Sequence, residues 1–377
     1  MRASPFSEAV ISGPSSKGAS SAVLRRVALH AALGLFAWSS SSCAPGGFQA
    51  PSTVSSVRIL ASTADPPYAK PGATVTLQLS AFDGRKTQTE PMVLYWLPFV
   101  CENPDSDAYY ACFPKLAAGL SARGSAGATD GGMQAIGSGV DLTPLLTAAG
   151  AVGPSYRFTM PADAVTSHPL VAGAAVPYGL AILLNVACAG HLELLPAVAG
   201  NANPQALPLG CFDAGHNRLG AEDYVFGFTR VYAYEGISNA NPVVDHVEAD
   251  GIALGPTQTF VTNRCSADRR ANCPHVRIGP VLPSSAQEQP DPSTGQPREQ
   301  IWADYFSTFG QFTDDARLLF DSTTGCVDKL HRADLCGSSD TDDDFLPPAE
   351  PGNGKIWIVV RDNRGGAAVR EVSVLVQ

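Results

Sequence analysis

The chain has 377 residues, of which 45% are hydrophobic and 16% charged, with 36 Gly, 30 Pro and 9 Cys. That composition is too apolar for a disordered protein, and the length suits two domains of ordinary size. The 35 acidic residues outnumber the 25 basic ones, and the formal net charge of -10 repels phosphate backbones and excludes a counterion-release route to nucleic acid. Because the cysteine count is odd, an exported chain would leave one cysteine to be explained.

The pair Arg25 and Arg26 precedes an apolar run over 27–38, broken by His30, and then Ser39, Ser40, Ser41 and Ser42 stand before Cys43. A basic flank, an apolar stretch and small residues form an export signal. The stretch is shorter than the about 20 apolar residues that span a bilayer. A cysteine directly after such residues resembles the signal of bacterial lipoproteins. The resemblance implies removal of 1–42, a lipid on the Cys43 thiol and a place in the cell envelope. Ala44, instead of Asp, after the cysteine favours the outer membrane. Ser40 stands where such signals carry Leu or another aliphatic residue. This leaves open a cut elsewhere in the serine run, with Cys43 as a disulfide partner behind an ordinary secretory signal. Lipidation is the expectation because it leaves an even number of cysteines to pair.

Residues 44–53 reach at most roughly 35 Å at about 3.5 Å per residue, so the expected tether, 43–55, holds the protein near a membrane. The first strand pattern follows at 57–61. Over 74–81, Val75, Leu77, Leu79 and Ala81 alternate with Thr, Gln and Ser, the period of a half-buried antiparallel strand. Asp83 and Gly84 mark a turn, and 92–97 supply a third strand containing Trp96. A short helix is predicted over 145–149, with Thr143 as N-cap, Pro144 at its first position and Gly150 as its stop.

Strand patterns recur at 156–160, 178–189 and 225–234. The run 169–199 is apolar enough to consider for a membrane, but Pro177, Asn185, His191, Glu193 and Pro196 interrupt it, and a buried central strand is expected. Residues 239–242, Asn-Ala-Asn-Pro, read as a linker before a strand at 243–247. Near the end, Ile356, Ile358 and Val360 alternate with Trp357, Val359 and Arg361. Residues 362–366 turn the chain, and Val372, Val374 and Val376 alternate back. This is a hairpin with Asn and Gly where positive φ is needed. Short strands between Gly- and Pro-rich loops predict an all-β fold.

The segment 64–77, with Pro66-Pro67-Tyr68 and Lys70-Pro71-Gly72 ahead of the alternating strand and Tyr95-Trp96 after it, resembles the opening strands of bacterial immunoglobulin-like domains. Pro348, Glu350-Pro351-Gly352 and the turn 361–366 resemble the closing strands of Ig-like and PKD-type domains of bacterial surface proteins. The whole is similar to bacterial lipoproteins built from two such domains. The resemblance implies two Ig-like antiparallel β-sandwich domains, 56–238 and 239–377, with long insertions near 101–153 and 264–300, behind a disordered signal and tether. It carries no functional residue with it, because that superfold hosts many unrelated functions.

The remaining cysteines fall as near neighbours: Cys101 with Cys112, Cys188 with Cys211, Cys265 with Cys273, and Cys326 with Cys336. Spacing alone does not choose among their connectivities. Near-neighbour pairing is the expectation, since each pair closes a loop, worth about 3 kcal/mol for a loop of about 15 residues, in a compartment that permits oxidation. Cys188 and Cys211 with His191 and His216 have almost zinc-like spacing. Exported thiols oxidise, so a disulfide, two incidental histidines and no metal are expected. His191-Leu192-Glu193 has the His-x-Glu spacing of zinc deaminases without their Pro-Cys-x-x-Cys.

The acidic run 340–345 starts like a calcium loop, but Phe345 stands where Gly is needed and Pro351 where Glu is needed. A solvated acidic loop is expected there. No Gly-x-Ser-x-Gly, Walker or His-Glu-x-x-His motif occurs. Asp314 and Asp315 are neighbours in sequence and make a poor acid/base couple.

Trp96, Trp302 and Trp357 sit in strand patterns and read as core. Tyr109 and Tyr110 fall inside the Cys101 to Cys112 loop, and a stapled loop displaying two tyrosines suits a contact surface. The sequence therefore predicts a non-enzymatic envelope protein, lipid-anchored to a membrane, with no catalytic residue, metal or cofactor, that meets a protein or glycan and no nucleic acid. A secreted hydrolase or metal-dependent enzyme built on the insertion loops is the alternative.

Overall fold

Val75, Leu77 and Leu79 point into one core from the strand Thr74–Asp83, and the same period of two organises most of the chain. The structure, a computed structural model, describes residues 50–116, 118–119, 139–169, 176–195, 207–265, 272–286, 298–323, 325–326, 335–336 and 343–377. The first part holds β1 (Val57–Asp65), β2 (Tyr68–Ala69), β3 (Thr74–Asp83), β4 (Val93–Glu102), β5 (Ser155–Thr159), β6 (Gly179–Cys188), β7 (His191–Leu194), β8 (Leu209–Phe212) and β9 (Tyr224–Ala233). Two short helices, α1 (Thr143–Ala148) and α2 (Ala164–Ser167), lie between these strands. One sheet has the order β1-β3-β5, a second β2-β9-β6-β4, and β7 pairs with β8.

The second part holds β10 (His246–Ala249), β11 (Ile252–Leu254), β12 (Thr259–Thr262), β13 (Val276–Pro283), β14 (Gln300–Ser307) and β15 (Gln311–Phe312). It continues with β16 (Ala316–Asp321), β17 (Gly325–Cys326), β18 (Leu335–Cys336), β19 (Asp343–Leu346), β20 (Gly352–Asp362) and β21 (Ala367–Val376). Its sheets have the orders β11-β10-β13-β19-β15 and β12-β21-β20-β14-β16-β17. Each part has its own large core, one drawn from Ala64 to Ala233 and the other from Val244 to Val376. The chain is thus an all-β sandwich protein. Two pairings depart from the expected antiparallel order, since β2 runs parallel to β9 and β12 parallel to β21. Both are edge strands reached after the chain changes sheet, where no tight turn imposes antiparallel entry.

All ten residues of β6 are buried between β4 and β9, so Gly179–Cys188 of the membrane-like run form an interior strand, while 170–175 and 196–199 lie outside the described residues. Among the described residues, no helix is long and apolar enough to cross a membrane. The polar interruption, Asn185, stands opposite Gly227 and donates to Thr229 Oγ1 at 3.4 Å. A Cβ at Gly227 would lie 2.5 Å from Asn185 Oδ1. The glycine therefore makes room for the buried amide.

The helix starts differently from its sequence pattern. Thr143 is the first helical residue and Leu142 the N-cap, with no side-chain cap bond; Thr143 N donates to Asp141 Oδ1 at 2.8 Å and its hydroxyl meets Tyr95 OH at 3.1 Å. Gly150, at φ 63°, follows the helix end. β20 is apolar on both faces, because Ile356, Ile358 and Val360 enter the second core while Trp357 and Val359 pack with Val54, Leu60 and Ala61. Of the expected tether, 43–49 lie outside the described residues together with the signal, whereas Ser52 and Val54 are buried, and Val54 N donates to Ser307 O at 2.8 Å.

The acidic run is not wholly solvated. Residues 340–342 lie outside the described residues, but Asp343 opens β19 fully buried. Its Oδ1 accepts from Asp314 N at 3.1 Å and Asp344 N at 2.8 Å. Burial pushes its carboxyl from 3.8 up to about 6.

Gly227→Ala should destabilise the protein by about 1–3 kcal/mol, the usual cost of overpacking, read as a lower urea midpoint at unchanged m. For Asp343, the folded state keeps a proton to about pH 6 that the unfolded chain releases near 3.8. Its contribution is therefore most favourable below the unfolded value and is lost as pH rises through the folded one, by on the order of 2–3 kcal/mol. Asp343→Asn, whose Oδ1 can accept the same two amides, should match the parent in urea at pH 4 and exceed it at pH 7.5. Equal midpoints at both pH values would contradict the buried carboxyl.

Candidate functional site

Three of the expected disulfides are formed, Cys101–Cys112, Cys188–Cys211 and Cys265–Cys273, with Cα–Cα distances of 5.7, 5.9 and 4.9 Å. Cys43 and the side chains of Cys326 and Cys336 lie outside what is described.

The Cys101–Cys112 loop is pinned to the start of β6. Asn103, at φ 42°, donates from Nδ2 to Ala164 O at 2.8 Å and Ser167 Oγ at 2.9 Å, and its Oδ1 accepts from Leu180 N at 2.8 Å. Asp107, at φ 54°, accepts from Tyr178 OH and pairs with His168 Nε2 at 3.0 Å. Left-handed backbone is costly for non-glycine residues, and these bonds hold it in place. Burial first, then the bond to Asp107, raises the Tyr178 phenol far above its ordinary value, so it stays a donor. The two tyrosines differ in role. Tyr109 stacks on Phe228 of β9, with centroids 4.5 Å apart and planes 11° apart, whereas Tyr110 is 41% exposed.

A second cluster forms at the other end of β6. The chain turns at Gly190, where a Cβ would lie 2.2 Å from Phe212 O, and enters β7. The strand period sets His191 and Glu193 on one face. The Cys188–Cys211 disulfide ties β8 to this point, and the turn after β8 returns His216. Glu193 Oε1 lies 2.7 Å from His191 Nε2 and 2.6 Å from His216 Nδ1. The side chain of Glu193 is 3% exposed, that of His191 15% and that of His216 62%. A buried carboxylate thus sits beneath one shielded and one open imidazole.

Asp213 builds the turn, with its Oδ1 accepting from Gly215 N at 2.9 Å and Asn217 N at 2.8 Å. These bonds, the Asn217 amide foremost, lower the Asp213 carboxyl below its ordinary value. His216 sits there at φ 60°. Ala214 N donates to Glu90 Oε1 at 2.9 Å, and Arg85 fixes that neighbourhood by donating to Glu90 O at 2.8 Å while pairing with Asp83 at 2.8 Å and Asp223 at 3.0 Å.

Sequence spacing grouped Cys188, His191, Cys211 and His216. The fold keeps the two histidines together, takes both sulfurs into a disulfide and adds Glu193. The period of two along β7 was the available signal for Glu193. The cluster can share protons between imidazole and carboxylate or hold a cation. Both histidines meet a carboxylate, and neither ring bond is to a hydroxyl or thiol nucleophile.

No family model and no curated protein matches the chain. Among solved structures it is similar to dimeric latent PorU from Porphyromonas gingivalis, at 10% identity and a TM-score of 0.20 over 86% of this chain and 24% of that one. It is also similar to the C-terminal domain of the Streptococcus pyogenes antigen I/II-family protein AspA, at 10% identity and a TM-score of 0.19 over 86% of this chain and 100% of that one. The chain spans about a quarter of the PorU length. Likeness at this level assigns neither a shared fold nor a function.

Replacing Cys188 and Cys211 together by Ser removes a cross-link across 23 residues and should cost about 3 kcal/mol in urea unfolding. A cost below about 1 kcal/mol would mean that other contacts hold the β7 and β8 ribbon.

Proposed function

We propose that the chain is a non-enzymatic lipoprotein of the cell envelope, anchored through Cys43 in the outer membrane, which binds a protein or glycan at the surface around Tyr110. The observation that carries this reading is the fixed loop between Cys101 and Cys112. Its disulfide, the Asn103 bonds and the Asp107 contacts hold the exposed Tyr110 in place. A rigid aromatic side chain loses little entropy on binding, and such side chains dominate contact energies. The anchor rests on the sequence from Arg25 to Cys43, and the three disulfides suit a compartment that permits oxidation. The net charge of -10 opposes a nucleic-acid partner.

Tyr110→Ala leaves Tyr109 on Phe228, so it should weaken binding to isolated envelope fractions by at least about tenfold at unchanged melting temperature. Unchanged binding would discard this loop as the contact surface. Intact mass of the protein produced with its own N-terminus in a lipoprotein-processing bacterium should correspond to a chain that begins at Cys43 and carries lipid. An unmodified soluble product would remove the anchor.

A further inference from the structure

His191, Glu193 and His216 each offer one ligand atom, and the three atoms lie within 4.8 Å of one another. Two imidazoles and one carboxylate are the donor set of open zinc sites, in which a fourth position stays free for water or another ligand. From this convergence we infer that the three residues bind a divalent late first-row transition metal, zinc foremost. The inference goes beyond the Tyr110 surface and is independent of it.

Tetrahedral coordination at about 2.0–2.1 Å sets ligand atoms roughly 3.3–3.4 Å apart. The two His–Glu separations are 2.7 and 2.6 Å, held by hydrogen bonds, so an ion enters by opening them by about 0.7 Å and displacing the protons between them. His216, 62% exposed on its turn, is placed to make that movement, while Glu193 and His191 on β7 supply the fixed part. The exposed imidazole also leaves the open position facing solvent.

Two further observations point the same way. A carboxylate as buried as Glu193 needs a countercharge, and a divalent ion held by two neutral imidazoles supplies it. His216 holds a left-handed φ of 60°, fixed by the Asp213 bonds and by the Ala214 to Glu90 contact. Strained backbone held in this way concentrates at functional positions. With both thiols oxidised, the donors are nitrogen and oxygen, which suit zinc and its neighbours better than thiolate-seeking ions.

The test is calorimetric titration of zinc chloride into the metal-stripped full chain, which should show one saturable site per chain. His216→Gly, which keeps the left-handed backbone without strain, should weaken that site at least about tenfold while preserving the unfolding curve. His246→Ala, at the separate Asp245 and Glu248 cluster, should leave it unchanged. Cobalt in place of zinc should give the visible absorption of a four-coordinate site in the parent and not in His216→Gly. Absence of saturable binding, or equal affinity in the parent and His216→Gly, overturns the assignment.

Discussion

The complete burial of β6 governs where the molecule presents chemistry to solvent. With all ten residues shielded, the strand cannot shift at either end without opening the first core. Its start is bonded to the Cys101–Cys112 loop through Leu180 N and Asn103, and its end is cross-linked at Cys188. The Asn103 anchor of the tyrosine loop and the His–Glu–His cluster are therefore referred to opposite ends of one strand roughly 30 Å long, while Tyr109 lies on Phe228, opposite Leu184 in its middle. Asn185 adds specificity to this burial. Opposite it stands Gly227, flanked by Phe226 and Phe228, so a slip of one residue would set an aromatic ring where the amide needs space.

A second strand, β20, buried from Ile356 to Val360, joins the two parts of residues 50–377. Its alternate residues serve two cores, and Arg361 extends the join by donating to Leu60 O at 2.7 Å and to Asp304 at 2.7 Å. Residues 239–242 are not a slack linker. Asn239 Nδ2 donates to Asp362 Oδ2 at 3.0 Å, Asn241 Nδ2 donates to Ala64 O at 2.8 Å, and Asn241 Oδ1 accepts from Ala367 N at 2.9 Å. Beside them Arg364 and Glu299 form a buried ion pair in the hairpin turn. Residues 50–377 accordingly form one compact unit around two cores.

What was legible in the sequence was whatever depends on period or proximity. The alternation in β3, β20 and β21 marked strands, and close spacing marked the three disulfides that are formed. Features set by tertiary contacts were not legible. Leu142 is the N-cap of α1 while Thr143 begins the helix and bonds to Tyr95, and nothing local announces that. Asp343 looked like one of several solvated acids, yet β13 and β15 pair with its strand and bury it. Tyr109 and Tyr110 are indistinguishable as neighbours, and only Phe228 separates their roles. Trp357 read as core and is buried, but the pattern did not say against what: it packs with Val54, Leu60 and Ala61 and not in the core of Ile356, Ile358 and Val360.

Glu193 illustrates why residue type and spacing undershoot a site. His-x-Glu on a strand guarantees that two side chains share a face, but the third member comes from beyond β8 and is brought back by a disulfide and an Asp213 turn. That same disulfide decides which donors are available. Oxidation takes Cys188 and Cys211 out of the donor set and fixes β8 against β6, leaving nitrogen and oxygen atoms to converge. Reduction would release two thiols close in sequence to the same histidines, and two thiolates with two imidazoles are a closed zinc donor set in place of an open one. The chemistry that the cluster can perform is therefore tied to the compartment in which the chain folds. The proposed nitrogen and oxygen donor set presupposes the oxidised Cys188–Cys211 bridge.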